Sequence, residues 1–179
     1  MWSNDVLKFW FAEGGSGYWF KKDSAFDETV RLRFLALYEA LATCDNDLLL
    51  ADARTALAAV VVFDQMSRNM FRDTPHAFAT DRRALSIAQE AIDRGFDAGL
   101  TKDERMFLYL PFEHAEDVTA QARSVTLMAT LDDPKLTKLA EAHRRIIDRF
   151  GRFPHRNRVL GRTSTPEEMV FLTQPGSSF

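Results

Sequence analysis

The sequence has a single cysteine, Cys44, among its 179 residues. One cysteine excludes an intramolecular disulfide framework and a zinc site built from several cysteines, and it is typical of a reducing compartment. No apolar run approaches the roughly 20 residues that a transmembrane helix needs. The first residues, MWSNDVLKFWF, lack the basic leader and the small-residue cleavage site of a secretory signal. These absences predict a soluble, cytoplasmic protein that does not associate with a membrane.

The sequence also lacks strand patterns. No stretch of strand length alternates apolar and polar residues, whereas apolar residues recur at helical spacing along most of the chain. The composition, 46% hydrophobic and 12% aromatic, suffices for one well-buried core and hardly for two. We therefore expect one all-α domain over residues 1–179.

Helical periodicity and capping signals locate the expected helices. They are a helix from Ser24 or Asp27 to about Thr43, a largely apolar helix from Asp52 through TALAAVVVFDQM, a helix over residues 75–94, one over residues 101–130 with a kink or break at Pro111, one over residues 133–150, and a short helix after Thr165. Two predicted core stripes are Phe78, Leu85, Ala88 and Ile92, and then Leu136, Leu139, His143, Ile146 and Phe150. Helices of this length with short loops favour stacked antiparallel hairpins, as a bundle or a short solenoid.

Charge is divided unevenly along the chain. Residues 143–162 hold seven arginines and one acidic residue, so this segment carries +6 and the rest of the chain carries −9. Such a division favours pairing within the molecule, and a nucleic-acid binder is more often basic overall. We therefore do not expect nucleic acid as a partner, while a homo-oligomer stays open.

A first polar cluster, FDQMSRNMFRDTP, ends the most hydrophobic helix. Asp64 lies one helical turn beyond Val60, so its carboxylate is expected to be desolvated and to need a partner. Arg68 follows four residues later on the same face. The structural interpretation is an Asp64–Arg68 ion pair, with Asn69 at the end of the helix.

A second polar cluster, FLYLPFEHAED, contains His114 and Asp117 three residues apart. On one helical face these could be two metal ligands, and His143 and His155 could supply others. No second histidine lies at the spacing of three or four residues that makes a zinc motif specific. Neither a metal nor a cofactor is therefore predicted.

A third polar cluster, RFGRFPHRNRVLGR, follows a predicted helix that carries His143 on its buried seam. His155, Arg156 and Asn157 come from irregular backbone, where sites are often built on a rigid scaffold. The planar fork of an arginine suits a carboxylate or a phosphate. The segment is either a pocket for an anion or an internal clamp on the acidic remainder of the chain.

Several motifs together resemble the bacterial domain of unknown function 924 family, over nearly the whole chain. They are VLKFWF, FDQMSRNMFRDTPHAFATDRRAL, FLYLPFEHAED with QARSV, and FGRFPHRNRVLGRTSTPEEMVFL. The usual family pattern has Phe-Pro where this chain has Met66-Ser67. The resemblance implies a tetratricopeptide-like helical fold and no established activity. The matching signature positions are Asp64, Gln65, Arg68, Asn69, Glu113, His114, His155, Arg156 and Asn157.

We expect these polar clusters to come together in space and to bind an anionic small molecule or a peptide carboxylate between helices. The predicted binding residues are Asp64, Arg68, Asn69, Glu113, His114, His143, Arg152, His155, Arg156 and Asn157.

Two alternative functions stay open. One is a hydrolase in which His155 or His114 is the general base, Glu113 orients it and Arg156 stabilises a developing anion. No nucleophile elbow, phosphate loop or zinc signature supports an enzyme. The other is a structural or protein-interaction domain whose polar motifs only lock the fold.

Overall fold

A computed structural model describes residues 1–13 and 17–178, and every element of regular structure in those ranges is helical. The α-helices are α1 (Trp2–Phe11), α2 (Ser24–Ala42), α3 (Asn46–Leu49), α4 (Ala53–Val60), α5 (Ser67–Met70), α6 (Asp81–Asp93), α7 (Lys102–His114), α8 (Val118–Ala129), α9 (Pro134–Phe150) and α10 (Pro166–Leu172). A π-helix, Val61–Met66, joins α4 to α5, and 3₁₀ turns cover Pro75–Phe78, Phe96–Gly99 and Pro154–Arg156. The all-α prediction is confirmed. Within the described ranges, no helix combines the length and the apolar character needed to cross a bilayer.

The chain divides into two compact units. The first unit comprises Met1–Arg72 and His76–Pro111, and the second comprises Asp73–Pro75 and Phe112–Phe179. The first unit therefore holds α1 to α6 and most of α7, and the second holds α8 to α10. One domain over residues 1–179 stays a prediction.

The centre of the first unit is the apolar helix that the sequence predicts from Asp52. The Asp52 carboxylate accepts a hydrogen bond from the Thr55 amide at 2.8 Å and so caps α4. All residues from 55 to 67 are buried. The helix widens at Val61 into the π-helix, which contains Asp64, and the Phe63 carbonyl accepts hydrogen bonds from the hydroxyls of Ser67 and Thr80, both at 2.7 Å. The departure from the family pattern at Met66-Ser67 thus lies where the π-helix meets α5.

Helix α1 precedes the first predicted helix. Its N-cap residue, Met1, makes no capping hydrogen bond through its side chain, so the usual sequence signal for a helix start is absent. Aromatic packing holds this part of the chain in the first unit. Trp10 lies edge-on to Phe107 with ring centroids 5.7 Å apart, and the Trp19 indole donates to the Trp10 carbonyl at 2.9 Å.

The predicted core stripe of α6 is wrong by about one residue. The buried residues of this helix are Ala84, Ile87, Ala88 and Ala91. Leu85 and Ile92 are only half-buried, and Phe78 belongs to a separate 3₁₀ turn before the helix begins. Three of the four buried residues are alanines, and small side chains let α6 approach α4 closely, whereas Leu85 and Ile92 lie at the edge of the buried face.

The break predicted near Pro111 comes later in the chain. Pro111 stays inside α7, which begins after the predicted capping box: the Thr101 amide donates to Glu104 Oε2 at 2.9 Å, and the Glu104 amide donates to Thr101 Oγ1 at 3.3 Å. Helix α7 ends at His114. Asp117 then caps α8 by accepting from the Ala120 amide at 2.7 Å.

The second unit is built around the α8–α9 pair. A short turn joins the two helices, which pack against each other as an antiparallel hairpin. The predicted start of α9 at Asp133-Pro134 and the predicted Thr165–Glu168 capping box of α10 are both confirmed. Leu139, predicted in the core stripe, is instead exposed. The buried residues of α9 are Ala140, His143, Ile146 and Ile147, because a small residue at the α8 contact allows closer packing than a leucine does.

Candidate functional site

In the second unit, three basic side chains surround the buried ring of Phe153. The centroid of this ring lies 5.7 Å from that of His143 and 5.6 Å from that of His155, and Arg156 Cζ lies over the ring at 4.6 Å. Helix α9 supplies His143, and the 3₁₀ turn Pro154–Arg156 supplies the other two side chains. His143 and Arg156 are buried, whereas His155 is half-buried. The geometry places a guanidinium, two imidazoles and an aromatic face in one small volume.

His143 contacts the carboxylate of Glu113 from the end of α7. His143 Nδ1 lies 3.1 Å from Glu113 Oε1 and 3.0 Å from the Leu139 carbonyl oxygen. Burial lowers the pKa of His143 to about 3, even though the Leu139 carbonyl opposes this change. The ring is therefore neutral at pH 7. Because two acceptors face Nδ1, this nitrogen carries the proton, and Nε2 carries the lone pair.

Positive charge near His143 adds to the effect of burial. His114, Arg156 and His155 each lower the pKa of His143 further, so all three lie close enough to act on it electrostatically. We call Glu113, His114, His143, His155 and Arg156 the His143 cluster. Glu113, His143 and Arg156 are buried, and His114 and His155 are half-buried. The structure thus brings together predicted residues from the second and third polar clusters of the sequence.

Gln121 of α8 holds the end of α7 in place. Its Nε2 donates to the carbonyl oxygens of Glu113 at 2.7 Å and Ala115 at 2.8 Å, which satisfies backbone acceptors that a helix end leaves unpaired. The sequence prediction missed this residue. The available signal was its spacing from Ser124 and Met128, which puts two polar residues on a buried helical face.

The other polar residues of the basic segment form a network that we call the carboxyl-terminal clamp. Its members are Glu116, Arg152, Asn157, Arg162 and Glu168. Arg162 binds Glu116 through two hydrogen bonds of 2.6 and 2.9 Å, and Glu116 also accepts from the Phe153 amide at 2.7 Å. Burial is the largest single influence on Glu116 and opposes its charge, but the hydrogen bonds from Arg162 and the Phe153 amide, together with the nearby arginine charges, outweigh burial and lower the pKa of Glu116.

The second half of the clamp is centred on Glu168 of α10. Arg152 donates to its two carboxylate oxygens at 2.6 and 2.8 Å, and Asn157 donates to Oε2 at 3.2 Å. The hydrogen bond from Arg152 is the main reason why the pKa of Glu168 falls to about 2. Arg152 and Asn157, both predicted to bind a ligand, thus contact other residues of the same unit, and their part in ligand binding stays a prediction.

The first polar cluster lies in the first unit as far as Arg72. Arg68 Nη1 is 3.6 Å from Asp64 Oδ1, so the predicted ion pair is confirmed, and Arg68 also binds both oxygens of Asp81 at 3.0 Å. Gln65 Nε2 donates to Asp64 Oδ2 at 2.6 Å. Burial opposes the charge of Arg68, but Asp64 and Asp81 outweigh it and raise the pKa of Arg68.

The role predicted for Asn69 as the end of a helix is wrong. Helix α5 continues to Met70, and Asn69 Nδ2 donates instead to Asp27 Oδ1 at 2.7 Å. Arg72 binds the same carboxylate of Asp27 through two hydrogen bonds. These contacts tie α5 to α2. Asp64, Arg68 and Asn69 belong to the first unit, whereas the other predicted binding residues belong to the second. That all of them form one binding site stays a prediction.

Two comparisons with known proteins, one with family models and one with solved structures, show what this chain is similar to. The family model described as bacterial protein of unknown function (DUF924) matches residues 6–176. The chain belongs to this family. It is also similar to the solved structure of ATU0120, a protein of unknown function from Agrobacterium tumefaciens. The identity is 45%, the match covers 95% of this chain and 96% of the other, and the TM-score is 0.89. No curated protein matches the chain.

The resemblance on which the sequence prediction relied is therefore confirmed for this DUF924 protein, whereas its tetratricopeptide-like stacking stays a prediction. The two residues of the metal alternative, His114 and Asp117, do not share a helical face, because one ends α7 and the other caps α8. Within residues 1–13 and 17–178, no group of three His, Cys, Asp or Glu side chains is arranged to hold a metal ion.

Proposed function

We propose that this DUF924 protein binds a small anion, a carboxylate or a phosphate, at the His143 cluster. The observation that carries the proposal is the arrangement of His143, His155 and Arg156 around the buried ring of Phe153. A positive group in so buried a place attracts an anion more strongly than it would in water, because the surroundings screen it less.

The chemistry of these side chains suits an anion. The contact with Phe153 restrains the position of the Arg156 guanidinium, and the planar fork of a guanidinium matches the geometry of a carboxylate or a phosphate. Glu113 is the single acidic member of the cluster, against one arginine and three histidines. Its contact with His143 Nδ1 fixes the orientation of that ring.

The most exposed members of the cluster are His114 and His155, which are half-buried. They belong to the end of α7 and to the 3₁₀ turn after α9, next to three buried members. We expect a ligand to approach Arg156 from the side of these two imidazoles. Side chains whose burial increases from the rim to the interior are typical of small-molecule sites with a few fixed polar groups.

The experiment compares ligand binding to wild type and Arg156→Met by calorimetry and by thermal shift. The probes are acetate, propionate, inorganic phosphate, and trialanine with either a free or an amidated carboxyl end. Methionine keeps much of the length of arginine while it removes the charge. We expect at least one anion to stabilise wild type, and Arg156→Met to weaken that binding about 10- to 100-fold through loss of a charge-assisted hydrogen bond.

Arg149→Met is the matched control. Arg149 also lies over a phenylalanine ring of the second unit, with Cζ 4.7 Å from the centroid of Phe150, but it is exposed and paired with Glu167. This variant is expected to bind like wild type. Equal binding by wild type and Arg156→Met, or binding of none of the probes, would overturn the proposal. Binding of trialanine only with its free carboxyl end would identify a peptide carboxylate as the ligand.

The hydrolase alternative stays a prediction, with His155 and His114 as candidate bases. Turnover of p-nitrophenyl acetate or p-nitrophenyl phosphate, lost in His155→Gln, would favour it over simple binding.

A further inference from the structure

Two polar atoms on the buried face of α8 are unsatisfied. Gln121 and Ser124 are both fully buried. Gln121 uses its Nε2 to hold the end of α7, but its Oε1 and the hydroxyl of Ser124 have no hydrogen-bond partner in the part of the chain that the structure describes. A buried polar atom left unpaired destabilises the folded state, so native proteins rarely keep one without a use for it.

Gln121 contacts the end of α7 next to the His143 cluster, and Ser124 follows about one turn later on the same buried face of α8. Gln121 Oε1 belongs to the same amide group as Nε2, which binds the carbonyl oxygen of Glu113 at 2.7 Å. Helices α8 and α9 run antiparallel from their common turn, and an α-helix rises about 1.5 Å per residue. Gln121 and His143 are therefore at similar distances from that turn, about 12 to 14 Å along their helix axes. Ser124 lies level with Ala140 in the same way. All four residues are on the buried faces of their helices.

These two atoms add a buried acceptor to the donors of Arg156. The arginine can only donate to an anion, whereas Gln121 Oε1 can only accept. A ligand that satisfies it must bring an O–H or N–H group. An ammonium group would be repelled by Arg156, so a neutral hydroxyl is the better match.

We infer that Gln121 and Ser124 form the second half of the proposed anion site and accept a hydrogen bond from a hydroxyl group of the ligand. The ligand class is then a small hydroxy acid, with its carboxylate at Arg156 and its hydroxyl at α8. The inference rests on the proposed function, because it assigns the chemical class of ligand at the same site.

The test compares acids that differ by one hydroxyl. Wild-type protein is titrated calorimetrically with lactate against propionate and with 3-hydroxybutyrate against butyrate, because the two pairs place the hydroxyl at different distances from the carboxylate. L-alanine is the ammonium counterpart of lactate. At least one hydroxy acid is expected to bind about tenfold or more tightly than its partner without the hydroxyl, since only it satisfies the buried acceptors.

Ser124→Ala and Gln121→Met are expected to reduce that preference at least several-fold, with the binding of propionate or butyrate much less affected. Ser67→Ala is the matched control, because Ser67 is equally buried but its hydroxyl already binds the carbonyl oxygens of Phe63 and Ala77. Circular dichroism and thermal melting of each variant show whether it is folded. Ser124→Ala removes one oxygen, so it keeps the test decisive even if Gln121→Met fails to fold.

The outcomes separate the two proposals. If wild type binds each pair of acids equally, the acceptors are satisfied by something other than a hydroxyl, such as a buried water, and the inference is overturned while the anion site stands. A preference that persists unchanged in Ser124→Ala and in folded Gln121→Met also overturns it, as does a preference for L-alanine over lactate. If wild type binds none of the acids, the proposed carboxylate site fails as well.

Discussion

His143 Nδ1 and Glu113 Oε1 lie 3.1 Å apart in the interior of the second unit, and because the imidazole is neutral at pH 7 this contact is not an ion pair. Burial keeps the pKa of His143 at about 3, so its ring has no charge to offer the carboxylate at pH 7. The contact orients the imidazole and adds no positive charge to the cluster. The protonated Nδ1 directs the basic Nε2 away from Glu113.

This relationship predicts a decline in stability at mildly acidic pH. An unfolded histidine binds a proton below its usual pKa of 6.5, whereas folded His143 does so only below about 3. Its contribution is therefore present above pH 6.5 and is lost as the pH falls from 6.5 towards 3. Between pH 7 and pH 5 we expect this residue to remove about 2 kcal/mol from the free energy of unfolding.

Urea unfolding of wild type and His143→Asn at pH 7 and pH 5 measures this effect. Asparagine keeps a donor near the position of Nδ1 but cannot titrate. The free energy of unfolding of the variant should therefore fall by about 2 kcal/mol less than that of wild type between pH 7 and pH 5. His76→Asn, which changes an exposed ring in the first unit, is the control. A decline of the same size in wild type and His143→Asn would contradict the assignment.

Arg162→Met tests the carboxyl-terminal clamp. The substitution removes both hydrogen bonds to Glu116 and the bond of 2.9 Å from Arg162 Nε to Asn157 Oδ1. We expect a loss of about 2–4 kcal/mol, because Glu116 stays partly buried without its cation. Arg158→Met replaces an exposed arginine of the same segment and should change stability by less than about 0.5 kcal/mol. Equal melting temperatures of the two variants would show that the clamp does not stabilise the fold.

Glu168→Gln tests the acid side of the clamp. The usual pKa of 4.5 falls to about 2 in the folded protein, so the ionised carboxylate stabilises the fold above pH 4.5, and that contribution is lost as the pH falls through 2. At pH 7 the free energy of unfolding of the variant is expected to be about 2 kcal/mol lower than that of wild type, because a neutral amide replaces the charged carboxylate that binds Arg152. The difference between wild type and variant should shrink as the pH falls from 4.5 to 2. If the difference in stability between wild type and Glu168→Gln does not depend on pH, the ionisation of Glu168 is not the cause of that difference.

Arg68→Met is expected to be the most damaging of these substitutions. It leaves the carboxylates of Asp64 and Asp81 without their shared cation, and Asp64 is fully buried. Breaking a buried ion pair by removing one partner costs about 3–5 kcal/mol. Arg54→Met is the control, because Arg54 is largely exposed and lies 3.5 Å from Glu104, where surface pairs contribute about 1 kcal/mol or less. Chemical denaturation of both variants gives the comparison.

Local sequence signals predicted the helix starts well. Asp52, Thr101 and Thr165 cap helices where predicted, because a cap depends on residues within one turn of each other. The buried faces of α6 and α9 were predicted less well. Their buried faces include alanines, three of four buried residues on α6 and Ala140 on α9, whose small size favours close approach but gives little apolar signal in a sequence.

Long-range partners could not be read from the sequence. Arg68 was correctly assigned to Asp64 four residues away, but its stronger contact with Asp81 depends on how the chain folds back. Gln121 was missed for the same reason, since its importance lies in the α7 carbonyls that it reaches. From the sequence, the basic segment was compatible both with a pocket for an anion and with an internal clamp. The structure assigns clamp contacts to Arg152 and Arg162, and places His155 and Arg156 around Phe153.

The separation of Glu116 and Arg162 along the chain has a kinetic consequence. These residues are 46 positions apart, with α8 and α9 between them, so their ion pair closes a long loop. Contacts of this kind are costly to close early, and we expect this one to form after the α8–α9 hairpin is in place. The clamp should therefore act mainly on the rate of unfolding: its loss would shorten the lifetime of the native state and leave the folding rate nearly unchanged.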